Sequence, residues 1–426
     1  MLTGGAGEPR QVSPPLGRKR WTHVLPIAFI MYTVAHFDRA NIAVALPGIV
    51  QEFSLSPLEA GMVGSAFGCG YFLSQLLSGW LVLRFGTRNL IGWAQILWGL
   101  GAIALGFAQD YHQIIVLRFA LGLFQGPVFA ATLAFLAQWF RTEERAQAFA
   151  FWNLSSPVGA FLAGPLTGLV LAHYDWHVMM IAEGLPAWIW AIIWWWRVPS
   201  SLAEAPWLPN DERAQIAEAL DCEQRHLGTS KSAPWWSVAG SPIVLCTLIG
   251  FALINLLITG FTFWLPTILR SVEGMSVTTA GVLSGLPFAA SMAGILIIAR
   301  RSDRHRQERR WHAALPTLFT GLAMIASAFV PVGFFHWQIA IFMVVGFTMK
   351  MFLPLIFAHL TEVLPREQSV PAIALTSSVG NLLGGVAGPM LIGGLAEATS
   401  GFVWPLCALG IAGLAAGGTF SLVRHR

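Results

Sequence analysis

The chain is poor in charge. Of its 426 residues only 11% are Asp, Glu, Lys or Arg, while 55% are hydrophobic. A soluble chain of this length could not cover its surface with so little charge, so an integral membrane protein is expected. Cysteine is scarce as well. Cys69, Cys222, Cys246 and Cys407 lie far apart, which gives no basis for a disulfide framework or a cysteine-built metal site. The chain also lacks a nucleophile elbow, a phosphate-binding glycine loop, a metal-binding cluster and a redox pair. The sequence therefore argues against an enzyme, and no catalytic or metal-ligating residue is assigned.

What the chain does have is long apolar stretches. About twelve are long enough to cross a hydrocarbon core of about 30 Å. They run over 23–47, 57–83, 89–108, 112–139, 146–170, 177–197, 241–267, 276–299, 312–330, 337–360, 368–394 and 399–422. The basic residues are distributed unevenly around them. With an even helix count, 21 of the 25 Lys and Arg fall on the side that holds both termini. By the positive-inside rule that side is cytoplasmic. The N-terminal stretch is too long for a cleavable signal and carries Asp38 and Arg39, so it reads as a retained helix. The run from Arg300 to Arg310 reads as an anchor on lipid headgroups, and no nucleic-acid partner is expected. Trp194, Trp195 and Trp196 read as an interfacial belt.

The two halves repeat at an offset of about 220 residues. Ser56-Pro57-Leu58-Glu59-Ala60-Gly61 is answered by Ser276-Val277-Thr278-Thr279-Ala280-Gly281, and Leu46-Pro47 by Leu265-Pro266. Ser155-Ser156 with Gly164-Pro165 is answered by Ser377-Ser378 with Gly388-Pro389. The fold expected is all-α: twelve transmembrane helices in two six-helix pseudo-symmetric bundles. The expected boundaries are an N-terminal tail at 1–22, a first bundle at 23–199, a linker at 200–240, a second bundle at 241–422 and a C-terminal tail at 423–426. In the linker, Pro209-Asn210-Asp211-Glu212 looks like the start of an amphipathic helix with Asn210 as its cap. Duplicated halves suggest a secondary transporter that rocks one half against the other. Glycine pairs such as Gly64 with Gly68, Gly122 with Gly126 and Gly164 with Gly168 allow close helix approach, for packing or for gating.

Asp38, Arg39, Arg118 and Lys350 lie inside the apolar stretches. Each costs roughly 2.5 to 3.5 kcal/mol at a helix centre, so they are expected to line a polar cavity. Three cations against one deep acid leave room for an anion, and arginine grips carboxylate in bidentate fashion while staying charged. Arg39, Arg118 and Lys350 are therefore expected to bind a carboxylate; an ion pair of the arginines with Asp38 is the structural alternative. Asp38 is expected to carry the coupling proton, because burial and a nearby arginine pull its protonation in opposite directions. Asp38 and Arg39 are adjacent and about 100° apart on a helix, so they are expected to point different ways. His36 shares a face with Tyr32 and Arg39 and reads as a hydrogen-bonded packing residue, a substrate donor or a second proton site. Glu183, near the outer end of the sixth helix, reads as structural.

Several of these segments resemble motifs of the major facilitator superfamily, and within it the anion:cation symporter family of organic-acid transporters. His36-Phe37-Asp38-Arg39-Ala40-Asn41 resembles that family's first-helix pattern Tyr-x-Asp-Arg-x-Asn. Gly79-Trp80-Leu81-Val82-Leu83-Arg84-Phe85-Gly86-Thr87-Arg88 resembles the superfamily's signature loop, with a reduced copy at Ser302-Asp303-Arg304. Arg118-Phe119-Ala120-Leu121-Gly122-Leu123-Phe124-Gln125-Gly126 resembles the fourth-helix pattern Arg-x-x-x-Gly-x-x-Glu-Gly. His36, Leu83 and Gln125 replace the family's Tyr, Asp and Glu. The resemblance implies a monomer in the inner membrane that imports a small organic acid with protons and needs no cofactor other than the proton. Tyr32, His36 and Gln125 join the substrate residues on this reading, and Arg84, Arg88, Asp303 and Arg304 are the gating residues. A proton-independent uniporter or exchanger and a transporter-like sensor are the alternatives, since Gln125 removes one acid.

Overall fold

A computed structural model describes residues 19–227, 236–271, 275–304 and 309–422, and every regular element among them is helical. Residues 1–18 of the expected N-terminal tail at 1–22, the expected tail at 423–426 and part of the Arg300 to Arg310 run lie outside the described residues. A chain this apolar satisfies its backbone within helices because lipid offers no hydrogen-bond partner.

Before the linker come α1 (Lys19–His23), α2 (Leu25–Phe53), α3 (Pro57–Leu76), α4 (Ser78–Phe85), α5 (Thr87–Leu105), α6 (Tyr111–Trp139), α7 (Thr142–Asn153), α8 (Ser155–Leu171) and α9 (Trp176–Arg197). The linker carries α10 (Asn210–Leu227) and α11 (Trp236–Ala239). After it come α12 (Pro242–Arg270), α13 (Val277–Arg304), α14 (Arg309–Ala328), α15 (Phe335–Met349), α16 (Leu353–Val363), α17 (Arg366–Leu382), α18 (Gly388–Thr399) and α19 (Val403–Leu422).

Seven crossings meet the length and apolarity needed to span a membrane, and α3 with α4, bent by 57°, makes an eighth. The others are α2, α5 and α14, which are more polar, and the broken pair α15 and α16. Counted this way, the described residues make twelve crossings. Two spans differ from expectation. Pro47 lies inside α2, which continues to Phe53, as membrane helices tolerate proline when neighbours and local adjustments satisfy the freed backbone. The tenth span is broken between Met349 and Leu353.

Ser56 and Ser276, matched by the sequence repeat, cap α3 and α13 in the same way. Ser56 Oγ accepts from Glu59 N at 3.3 Å, and Ser276 Oγ from Thr279 N at 3.1 Å. Both caps lie at the end of the molecule away from the linker, called here the far end. The chain before the linker meets the chain after it there, along α3 against α18 and α8 against α13. Small residues permit this contact. A Cβ on Gly68 would lie 2.4 Å from the Gly385 carbonyl oxygen, and one on Gly164 would lie 2.1 Å from that of Gly281. Gly122 and Gly126 instead approach α3 within the first half. The glycine pairs thus separate: Gly68 and Gly164 join the halves, while Gly122 and Gly126 pack one half.

Polar contacts reinforce the far end. Ser65 Oγ donates to Val386 O at 2.6 Å, Thr278 Oγ1 to Gly168 O at 3.2 Å, and Leu58 N to Glu397 Oε2 at 3.0 Å. At the linker end, fully buried Arg20 donates to Glu144 at 2.8 and 3.0 Å and to Trp139 O at 3.1 Å. The hydrogen bond and charge of Arg20 hold Glu144 below its usual range despite the opposing effect of burial. Trp207 of the linker stacks on His23 and Trp139.

The tryptophan run departs from a simple belt. Trp194 is buried, with Nε1 donating to Arg88 O at 2.9 Å, whereas Trp196 is 76% exposed beneath Arg197. A helix turns about 100° per residue, so three consecutive rings cannot share one face.

The far-end contact yields a prediction. Gly164→Val forces a side chain into the Gly281 backbone, and overpacking of this kind costs about 1–3 kcal/mol. Spin labels at Leu171→Cys and Met275→Cys, with the native cysteines replaced, should report a wider separation in this variant. An unchanged distance distribution would show that backbone contact between α8 and α13 does not control closure.

Candidate functional site

The charged residues converge where α2, α3 and α6 meet. Arg39 Nε donates to Gln125 Oε1 at 2.7 Å, and Gln125 Nε2 donates to Asp38 Oδ2. Asp38 and Gln125 are buried and Arg39 is half-buried. Asp38 and Arg39 were expected to diverge, yet they meet the two ends of one amide. The long arginine side chain closes the angle that α2 opens between neighbours.

No ion pair within 4.0 Å joins Asp38 to either arginine; among the described residues the ion pairs involve Glu144 and Glu52. The buried pair raised as a structural alternative is thus mediated by Gln125 for Arg39. Arg118 is buried, donates to Val63 O at a long 3.4 Å, and interacts with Asp38 through charge across a wider gap. Both guanidiniums lie on aromatic faces. Arg39 is 4.6 Å from the Tyr71 ring centroid and 5.7 Å from that of Tyr32; Arg118 is 4.8 Å from that of Phe67. Such faces hold a cation without neutralising it. Arg39 Nη2 is buried with no acceptor in hydrogen-bonding geometry, though the Tyr71 and Tyr32 hydroxyls are close.

Lys350 lies in the break between α15 and α16. Its Nζ donates to Ser156 Oγ of α8 at 3.4 Å, which links the two halves. His36 Nδ1 lies 3.1 Å from the Tyr32 carbonyl, and its ring meets the Tyr32 ring edge-on at 4.5 Å. One ring nitrogen is therefore committed to its own helix.

Of the gating candidates, Arg84 and Arg88 have described side chains. Arg88 donates to Ser200 Oγ at 2.9 Å and to Trp195 O at 2.6 Å, both on the first side of the chain. Arg84 and Leu83 are exposed at the end of α4. Asp303 and Arg304 end α13, and their side chains lie outside the described part of the structure.

Sequence reasoning missed two groups. Tyr71 faces Arg39 from α3. Asn255 Nδ2 donates to Asn381 Oδ1 at 3.4 Å, beside a π-helical segment at Leu383–Ala387 that interrupts the eleventh span. Such segments recur at functional sites. Polar side chains in otherwise apolar stretches were the available signal. Glu183, which the sequence reads as structural, is held by two polar side chains. Asn41 Nδ2 donates to its Oε2 and Thr167 Oγ1 to its Oε1 at 2.7 Å. Asp38 is thus not the only acid deep in the spans, because Glu183 is also buried.

Among the described residues no group of His, Cys, Asp and Glu is arranged to hold a metal ion. A cleft at the linker end, lined by Thr247, Arg310 and His359, encloses only about 10 Å³, room for a water at most.

A twelve-crossing helical fold around a charged cluster at mid-depth defines a multi-pass membrane transporter, not an enzyme. The chain belongs to the Major Facilitator Superfamily, whose family model matches residues 28–389. It is 29% identical over 396 residues to the quinolone resistance transporter of Acinetobacter baumannii, covering 91% of this chain and 90% of that protein. It is 28% identical over 396 residues to the D-galactonate transporter of Escherichia coli, covering 89% and 90%. Its fold matches the inward-open xylose transporter XylE of Escherichia coli with a TM-score of 0.74, at 16% identity and over 93% of this chain and 95% of that one.

The amide at position 125 makes the cluster testable. Gln125→Glu places a second carboxyl against Asp38 where the amide nitrogen now donates, and two carboxyls in contact must share a proton. The shared proton is present at low pH; its loss as pH rises puts like charges together, so stability should fall with rising pH. Thermal unfolding in detergent between about pH 5 and 9 should show a steeper loss in the variant than in the wild type. Parallel profiles would mean residue 125 does not face Asp38.

Proposed function

We propose that the protein is a secondary active transporter that imports a small organic anion together with protons by alternating access. It works as a monomer in the inner membrane with both termini cytoplasmic, and the proton is its only coupling partner. The observation that carries this reading is the Arg39, Gln125 and Asp38 network.

The network supports coupling through competition for positive charge. With Asp38 ionised, the field of Arg39 and Arg118 is partly satisfied. Protonating Asp38 leaves two guanidiniums and Lys350 without an anion in a low-dielectric site, which favours a carboxylate. Linkage makes this reciprocal: the bound carboxylate favours the proton on Asp38. Arg39 Nη2, which lacks an acceptor, offers the first hydrogen bond. Lys350 reaches the first half at Ser156, so a substrate held by Arg39, Arg118 and Lys350 draws the two halves together. Tyr32, His36 and Gln125 shape the pocket around it. Arg84, Arg88, Asp303 and Arg304 are the gating candidates at the linker end. A relative that carries D-galactonate is consistent with a sugar acid or similar carboxylate.

A proton-independent exchanger is the second reading. It is favoured by Gln125 itself, an amide that cannot titrate where a carboxyl would. Uptake of labelled D-galactonate and related sugar acids into proteoliposomes, with and without an imposed pH gradient, separates the two. Wild type should accumulate substrate only on the gradient. Asp38→Asn, which mimics the protonated acid, should lose gradient-driven accumulation by at least about tenfold while keeping counterflow, a loss of about 1.4 kcal/mol of coupling. Accumulation by the variant at wild-type level would remove Asp38 from the proton path.

A further inference from the structure

We propose that Glu183 is a second proton-binding carboxyl of the transport cycle, placed to report its protonation to the far-end contact between the halves. The proposal rests on the symport reading for its consequence and on its own geometry for its test.

Glu183 lies two turns into α9 and is buried, at 7% exposure. Among the described residues no Lys, Arg or His nitrogen comes within 4.0 Å of it. Its partners are neutral: Asn41 of α2 at one oxygen and Thr167 of α8 at the other. A buried carboxylate without a cation is costly to keep ionised. A purely structural hydrogen-bonding role would be filled more cheaply by glutamine.

The two partners accommodate both states. When Glu183 is ionised, the Asn41 amide and the Thr167 hydroxyl each donate to it. When a proton binds at Oε1, the new O–H donates to Thr167 Oγ1, and the threonine hydroxyl turns to a carbonyl one turn back on α8, as threonine does in helices. Asn41 continues to donate to Oε2. One O–H bond is formed on Glu183 and no covalent bond is broken; the hydrogen bond to Thr167 reverses direction, the threonine hydroxyl gains a backbone acceptor, and no group is left unsatisfied.

The surroundings set the electrostatics. From α2 the titratable group nearby is Asp38, one turn from Asn41 and close enough to interact through charge. From α5, Gly99 and Ile103 pack against this turn of α9, at Gly184. From α8 the contact is Thr167. On α9 itself, His177 lies toward the far end and is held by Glu52 at 3.1 Å. The two acids repel each other, so their occupancies are linked. Asp38-Arg39-Ala40-Asn41 thus sends Asp38 and Arg39 to α6 and Asn41 to α9, so that one turn of α2 touches both proposed proton sites.

Thr167 connects this site to the gate. It lies between Gly164 and Gly168, which approach Gly281 and Thr278 of α13 at the far end. A change in the hydrogen bond from Thr167 therefore acts on the segment whose backbone closes that end.

Infrared difference spectroscopy of the purified full chain, titrated between about pH 5 and 9, tests the proposal without a substrate. A protonated-carboxyl carbonyl band should be lost as pH rises. Glu183→Gln should abolish that band and Asp38→Asn should leave it. In wild type, ¹³C labelling of glutamate side chains should shift it, which gives the answer even if Glu183→Gln fails to fold. Absence of any titrating glutamate band would overturn the proposal, and so would a band shifted by ¹³C-glutamate labelling that survives in Glu183→Gln. Symport is scored separately by galactonate accumulation. Gradient-driven uptake without the band would sink the Glu183 site alone; the band without such uptake would sink symport and leave the proton site standing.

Discussion

The rest of the site depends on one amide. Gln125 accepts from Arg39 and donates to Asp38, so it fixes both ends of an acid and base pair that sit next to each other on α2 and would otherwise diverge. A carboxylate at that position could not donate to Asp38, and an apolar residue could hold neither partner. The amide sets the charge state of the cluster without contributing charge. It leaves Arg39 and Arg118 as two cations around the single carboxylate of Asp38, the imbalance on which the proposed anion binding rests.

The bundle positions that imbalance between its two halves. At the far end glycines on α3 and α8 let backbones meet α18 and α13, a seam of small residues rather than of interlocking side chains. Opening such a seam breaks the hydrogen bonds of Ser65, Thr278 and Leu58 across it. At mid-depth Lys350, in a helix break, touches Ser156 across the halves. Discontinuous helices near the site free backbone groups and allow local bending. The π segment at Leu383–Ala387 and the bend between α3 and α4 are of the same kind.

Much of this was legible in the sequence, and the reasons are physical. A charged residue in an apolar stretch is conspicuous because its cost is high, so Asp38, Arg39, Arg118 and Lys350 stand out without a structure. The halves repeat in sequence because Ser56 and Ser276 perform the same capping task. Pairings between helices were not legible. Whether Asn41 meets Glu183, or Tyr71 meets Arg39, depends on the rotation of each helix about its axis, which an apolar sequence with weak periodicity does not specify. Trp194 and Trp196 show the same limit, since a run of identical residues hides that one faces the interior and another the surroundings. Pro47 was read as an end and is an interior residue, because in a membrane helix neighbours can meet the needs of the freed backbone.

The central claim is that anion binding and proton binding at the cluster favour each other. It is tested most directly by following proton uptake with a pH-sensitive dye when D-galactonate, or another sugar acid that binds, is added to the purified protein in weak buffer. The account predicts net uptake of protons on binding, reduced in Asp38→Asn. Saturable binding with no proton uptake in wild type would contradict it.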